Sequence, residues 1–150
     1  MKNKSFLKSL RHARDGVRYT FKNERNFRID IAVMLYVIWF SCAYGLSRTE
    51  WAVVVILIGM MLVCEIINTA VERAVDTATA DYDVNAKAAK DAAAAAPLVF
   101  AAVSVVGAIF IFLDFERIAA ALYTIFHSVI YIASFAVITL INVFIVKKRS

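Results

Sequence analysis

Residues 51–76 read WAVVVILIGMMLVCEIINTAVERAVD. The first fourteen carry no charge, and the run then continues through Glu65, Asn68, Glu72 and Asp76. Those four are spaced 3, 4 and 4, which on an α-helix makes one polar stripe with apolar residues around the rest. A helix starting at Trp51 on one membrane face places Glu65 about 21 Å inward at 1.5 Å per residue, and Glu72 roughly 10 Å further. In a hydrocarbon core about 30 Å thick, Glu65 then sits within the inner leaflet and Glu72 at the far surface. A carboxylate at that depth is costly and marks function. Its bland counterpart, helix–helix glue or a snorkelling end, suits Asp76 better than Glu65.

The rest of the chain agrees with a membrane reading. Its 150 residues are 62% hydrophobic and 19% charged, with a mean hydropathy of +0.71. Soluble domains run about 45–50% apolar and about 25% charged. Uncharged runs cover 31–47, 51–64, 92–113 and 118–146. The runs are continuous rather than alternating, which excludes a β-barrel. The expected fold is an all-α membrane protein, one integral-membrane domain over 1–150. It has an interfacial helix over 1–28, transmembrane helices over 31–47, 51–72, 92–113 and 118–146, and a cytoplasmic loop over 73–91.

Lys and Arg set the orientation. Fifteen lie in residues 1–30, in the 73–91 segment and in the tail; only Arg48 and Arg117 lie in the other two connectors. Both termini and the middle loop are therefore expected in the cytoplasm. The N-terminus is not a cleaved signal peptide, because about 30 residues of mixed charge precede the first apolar run. Phe6, Leu10, Ala13, Val17 and Phe21 keep helical phase, with Lys4, Lys8, Arg11, Arg18, Lys22 and Arg25 on a flank. That pattern suits a helix lying in the interface, its basic side chains toward anionic lipid heads. The plainer alternative is a solvated basic arm.

Between the second and third runs lie Asp81, Asp83, Lys87, Lys90 and Asp91, followed by five alanines and Pro97. Lysine suits phosphate as a point charge, and carboxylates with water hold Mg²⁺ beside substrate phosphates. Alone such a loop is ordinary solvated charge; beside a buried carboxylate stripe it gains interest. There is no GxxxxGK[ST], no Gly-rich loop and no HRD-type catalytic loop. Two cysteines, Cys42 and Cys64, in apolar runs exclude a disulfide scaffold and a four-cysteine zinc site. His12 and His127 are far apart, and His127 reads as a packing residue.

Three blocks resemble a known family, the small prokaryotic integral-membrane diacylglycerol kinases, closest to the undecaprenol kinases of Gram-positive bacteria. They are Gly16 through Asn23-Glu24-Arg25-Asn26-Phe27-Arg28, then Glu65-Ile-Ile-Asn68-Thr-Ala-Val-Glu72-Arg-Ala-Val-Asp76, then Ala86-Lys87-Ala-Ala-Lys90-Asp91-Ala-Ala. The resemblance covers roughly residues 5–115. It implies an ATP-dependent lipid kinase with an interfacial helix and three spans, working as a homotrimer with shared active sites in the bacterial inner membrane. It implies MgATP as phosphate donor and a lipid alcohol as acceptor, undecaprenol first and diacylglycerol as the alternative, with no nucleic acid involved. By motif, Glu65 resembles the catalytic base and Glu24 and Glu72 the Mg²⁺ ligands. Asn68 and Asp76 resemble supporting polar positions. His12, Glu24, Glu72, Asp81, Tyr82, Asp83, Lys90 and Asp91 resemble the nucleotide site. His12 stands where the family usually has Tyr, Asp30 where it more usually has His or Glu, and the 118–146 span is extra. From another class, the rival reading is a small proton-coupled transporter using Glu65; the long basic arm and charged inner loop argue against it. A purely structural membrane protein leaves the carboxylate stripe unexplained.

Overall fold

The computed structural model describes residues 2–79 and 83–147, with side chains from residue 6. Its described residues form six helices: α1 (Lys2–Asn23), α2 (Arg25–Tyr44), α3 (Arg48–Ala78), α4 (Val84–Phe112), α5 (Phe115–His127) and α6 (Val129–Lys147). Four of them, α2, α3, α4 and α6, are long and apolar enough to cross a membrane. The all-α membrane fold expected from the runs is the fold observed.

Local sequence sets the breaks. Glu24 adopts an extended conformation and separates α1 from α2. Gly45 ends α2 at φ 72°, donating its N–H to Ser41 O at 3.1 Å. This left-handed position suits glycine, which has no Cβ to clash. Two residues later Ser47 and Glu50 form a reciprocal capping box that starts α3. Asp83 caps α4 and Asp114 caps α5, each carboxylate accepting two backbone N–H groups. At 31 residues, α3 is about 46 Å long. It overruns a 30 Å core, so its C-terminal turns emerge into water.

Three boundaries differ from the sequence expectation. Residues 25–28 belong to α2 rather than to the interfacial helix. Much of 73–91 is helical, as the end of α3 and the start of α4. The span expected over 118–146 is two helices, broken at Ser128, whose backbone is extended (φ −113°, ψ 116°). That run contains no charge, glycine or proline, so its composition hides the break. The break lets Ala121 of α5, 1% exposed, pack with Tyr44, Leu46 and Val54 over the α2–α3 turn. Of the two, α6 is the one long and apolar enough to cross a membrane.

Helices α3 and α4 form the main antiparallel pair, tied at one end by Lys90 Nζ and Asp76 Oδ1 at 2.8 Å. Gly107 lets them close up: a Cβ there would lie 3.1 Å from Leu57 Cδ1. Helix α6 runs antiparallel along α2. Trp39 Nε1 donates to Ser134 Oγ (2.9 Å), Tyr36 Oη to Thr139 Oγ1 (3.0 Å), and the buried Asn142 Nδ2 to Ala32 O (3.1 Å). Between apolar helices in lipid, such polar contacts and close packing replace the hydrophobic effect as the driving force. The remaining faces of α4 and α6 display exposed Leu98, Phe110, Leu140 and Phe144, as a lipid solvent requires.

Candidate functional site

The site is built where α1 turns into α2 beside the far end of α3. Arg28, 4% exposed, sends Nη1 back to Phe21 O (3.2 Å) and Lys22 O (2.9 Å). It thereby caps the last turn of α1. The Arg73 guanidinium of α3 lies 5.6 Å from the centre of the Tyr19 ring of α1, a cation–π distance. These two contacts hold the α1–α2 joint, and with it Glu24, beside α3.

Glu65 is buried at 5% exposure. Thr69 Oγ1 donates to its backbone carbonyl at 2.9 Å. One helical turn on, Asn68 Nδ2 donates to Glu72 Oε1 at 3.2 Å, while Asn68 Oδ1 is buried without a partner. The carboxylates of Asp30, Glu24 and Glu72 all lie within electrostatic range of Glu65. Asp30 Oδ2 is also buried without a partner. Four carboxylates, one from the α1–α2 joint, one from α2 and two from α3, thus lie at one end of the bundle. Of the neighbouring cations, Arg28 bonds backbone carbonyls, Arg73 lies over Tyr19, and Lys90 pairs with Asp76 while staying within electrostatic range of Glu72.

Of the residues singled out from sequence, Glu24, Glu65, Asn68, Glu72, Asp76 and Lys90 come together here. Asp83 is turned to its own helix as the cap of α4, and Asp91 pairs with Lys87 at 2.6 Å. His12 is exposed on α1. Asp81 and Tyr82 lie outside the described residues. Sequence reasoning noted Asp30 only as a departure from a family pattern; its signal was being the last charge before the uncharged 31–47 run. Thr69 was missed, although it follows Glu65 by one turn.

Among the described residues no three of His, Cys, Asp or Glu converge closely enough to hold a metal unaided. The donors present are carboxylate oxygens at the end of α3 that reaches water. They suit Mg²⁺, which binds one or two carboxylates and completes its shell with waters and substrate phosphates. From Asp30 a cavity of about 610 Å³ rises between α2, α3 and α4, past Tyr36, Leu57, Ser104 and Ile111 to Phe112. Ser104 Oγ is buried in it without a partner. The arrangement offers an apolar slot with a carboxylate end next to a buried carboxylate: it can seat a long-chain alcohol and take a proton from it.

Residues 11–112 match the prokaryotic diacylglycerol kinase family. The undecaprenol kinase of Bacillus subtilis (strain 168) is 43% identical over 108 residues, covering 72% of this chain and 88% of that protein. A diacylglycerol kinase of Synechocystis sp. (strain ATCC 27184 / PCC 6803 / Kazusa) is 37% identical over 103 residues, 68% of this chain and 59% of that protein. A diacylglycerol kinase of Helicobacter pylori (strain ATCC 700392 / 26695) is 31% identical over 96 residues, 64% and 75% of the two chains. No solved structure matches the chain. The family match ends at the last residue of α4, leaving α5 and α6 outside it.

Proposed function

The chain belongs to the prokaryotic diacylglycerol kinase family, and we propose that, as a lipid kinase of that family, it phosphorylates undecaprenol. The observation that carries the reading is an apolar slot that ends at Asp30, with the buried Glu65 within electrostatic range of Asp30, Glu24 and Glu72. Similarity to an undecaprenol kinase favours that acceptor. Similarity to diacylglycerol kinases keeps diacylglycerol as the second reading.

In this reading the lipid chain lies in the slot between α2, α3 and α4, and the hydroxyl reaches Glu65. Glu65 takes the hydroxyl proton as the oxygen attacks the γ-phosphate of ATP. Burial keeps water from competing for that base. Asn68 orients Glu72, and Arg28 and Tyr19 fix the joint that carries Glu24. Glu24 and Glu72 would hold Mg²⁺, which supplies neutralisation of phosphate charge when bound. Lys90, with Asp76 and Asp91 nearby on the same wet end, serves the nucleotide, together with Asp81, Tyr82, Asp83 and His12. The protein works as a homotrimer with sites shared between protomers. It lies in the bacterial inner membrane with both termini cytoplasmic, as the Lys and Arg distribution favours.

The test is phosphate transfer from MgATP by the purified protein, in mixed micelles containing undecaprenol or diacylglycerol at equal mole fraction. Faster transfer to undecaprenol is expected. Preference for diacylglycerol overturns the substrate assignment, and transfer to neither overturns the whole reading.

A further inference from the structure

A second cavity, of about 510 Å³, lies between α1 and the adjoining parts of α2 and α3. Phe21 of α1, Phe27 and Met34 of α2 and Leu62 of α3 line it, together with Arg14 and Arg18 of α1. Arg14 and Arg18 are one helical turn apart and share a face. Met34 and Leu62 also line the first slot, so one apolar partition separates the two cavities.

The cavities differ in charge. The first is lined by the carboxylate of Asp30 and by no cation. The second has apolar walls and no carboxylate among its lining residues; Arg14 and Arg18, both exposed, contribute to its edge through their stems, within reach of a headgroup seated there. Arg14 pairs with the adjacent Asp15 at 2.9 Å, with both side chains more than half exposed. Such a pair at the surface is worth little and yields readily to a stronger anion. No ion pair of Arg18 occurs among the described residues.

We propose that the second cavity binds a lipid phosphate monoester, the phosphate on Arg14 and Arg18 and the chain against Phe21, Phe27, Met34 and Leu62. The identity of the ligand rests on the lipid-kinase reading, because such a monoester is what that reaction makes. Phosphorylation turns a neutral hydroxyl into a group carrying about −1.5 to −2 charges at neutral pH. Beside Asp30, the charged residue that lines the first slot, that group is repelled. Across the Met34–Leu62 partition it meets arginines, whose planar donors match phosphate oxygens. Methionine is unbranched and adaptable, so the partition can yield to a passing chain. Charge therefore sorts the two lipids: the alcohol to the carboxylate slot, the phosphate to the arginine slot.

The experiment is native mass spectrometry of the full-length protein in neutral detergent, titrated with a polyprenyl phosphate. Parallel titrations use the parent polyprenol, inorganic phosphate and phosphatidylglycerol. The polyprenyl phosphate is expected to bind most tightly. Arg14→Gln with Arg18→Gln should weaken it by at least about tenfold, as loss of charge-assisted hydrogen bonds implies. Arg14→Lys with Arg18→Lys should restore part of it. Lys8→Gln with Arg11→Gln, which removes the same charge from the same helix outside the cavity, should leave it nearly unchanged. Equal weakening by the two glutamine pairs overturns the site in favour of diffuse attraction. Phosphatidylglycerol binding as tightly as the monoester overturns the ligand class, and tight inorganic phosphate overturns the role of the chain. Binding is read without turnover, so it stands or falls separately from the kinase assay.

Discussion

The two ends of the helical bundle treat charge in opposite ways. At the end holding the α2–α3 turn, Arg117 donates to both oxygens of Glu50 (2.8 and 3.1 Å) and to Gly45 O, and lies 4.2 Å from the centre of the Tyr44 ring. Glu50 also completes the Ser47 cap, and Asp114 caps α5. These hydrogen bonds hold the Arg117 guanidinium above its ordinary pKa range. At the other end, Glu24, Asp30 and Glu72 lie within electrostatic range of Glu65, and among the described residues no cation pairs with Glu65: Arg28 bonds backbone carbonyls, Arg73 lies over Tyr19 and Lys90 pairs with Asp76. Matched charge holds helices together. Like charge gathered around a buried carboxylate opposes folding unless a ligand supplies the missing cation or proton.

The largest break in that comparison comes from Glu65→Gln. Turnover should fall by at least the roughly 10²-fold typical of a lost general base, with ATP binding retained. Steady-state kinetics beside nucleotide binding read this out, and wild-type turnover would sink the assignment. Glu50→Gln, its counterpart at the matched end, should leave turnover near wild type.

Next in size are Glu24→Gln and Glu72→Gln. Each should raise the Mg²⁺ concentration needed for half-maximal activity, followed by titrating Mg²⁺ at fixed ATP. Unchanged Mg²⁺ dependence in both removes them as ligands. At the matched end, Arg117→Ala should lower the thermal midpoint in detergent while sparing kcat. A collapse of kcat at unchanged midpoint would show that the two ends are coupled. The smallest effect expected is from Ser134→Ala, which removes the Trp39 hydrogen bond from the α2–α6 contact. Interhelical hydrogen bonds in membranes average about 0.6 kcal/mol, so equilibrium unfolding in bicelles should register a loss of that order and the kinase assay none.

Much of this was legible in the chain itself. The 3-4-4 spacing from Glu65 to Asp76 lies within one helix, and helical periodicity alone places those residues on one stripe. The Gly45-Leu46-Ser47 turn with Glu50 carries its own stop and start signals. Asp30 was not legible as a site residue, because 35 positions separate it from Glu65 and no local rule joins them. The break at Ser128 was hidden too: without glycine, proline or charge, only the packing of Ala121 under the α2–α3 turn selects two helices over one.

The sequence by itself determined the four apolar spans, the basic arm, the polar stripe and the caps, because each depends on neighbours within a few residues. The tertiary structure decided which charges face one another. It set Lys90 against Asp76, Arg117 against Glu50, and Asp30 and Glu24 toward Glu65. It also opened two cavities on either side of Met34 and Leu62. Those outcomes depend on how helices cross and on side chains far apart in the chain. In a medium without a strong hydrophobic drive between helices, small residues such as Gly107 and a few interhelical hydrogen bonds settle that geometry.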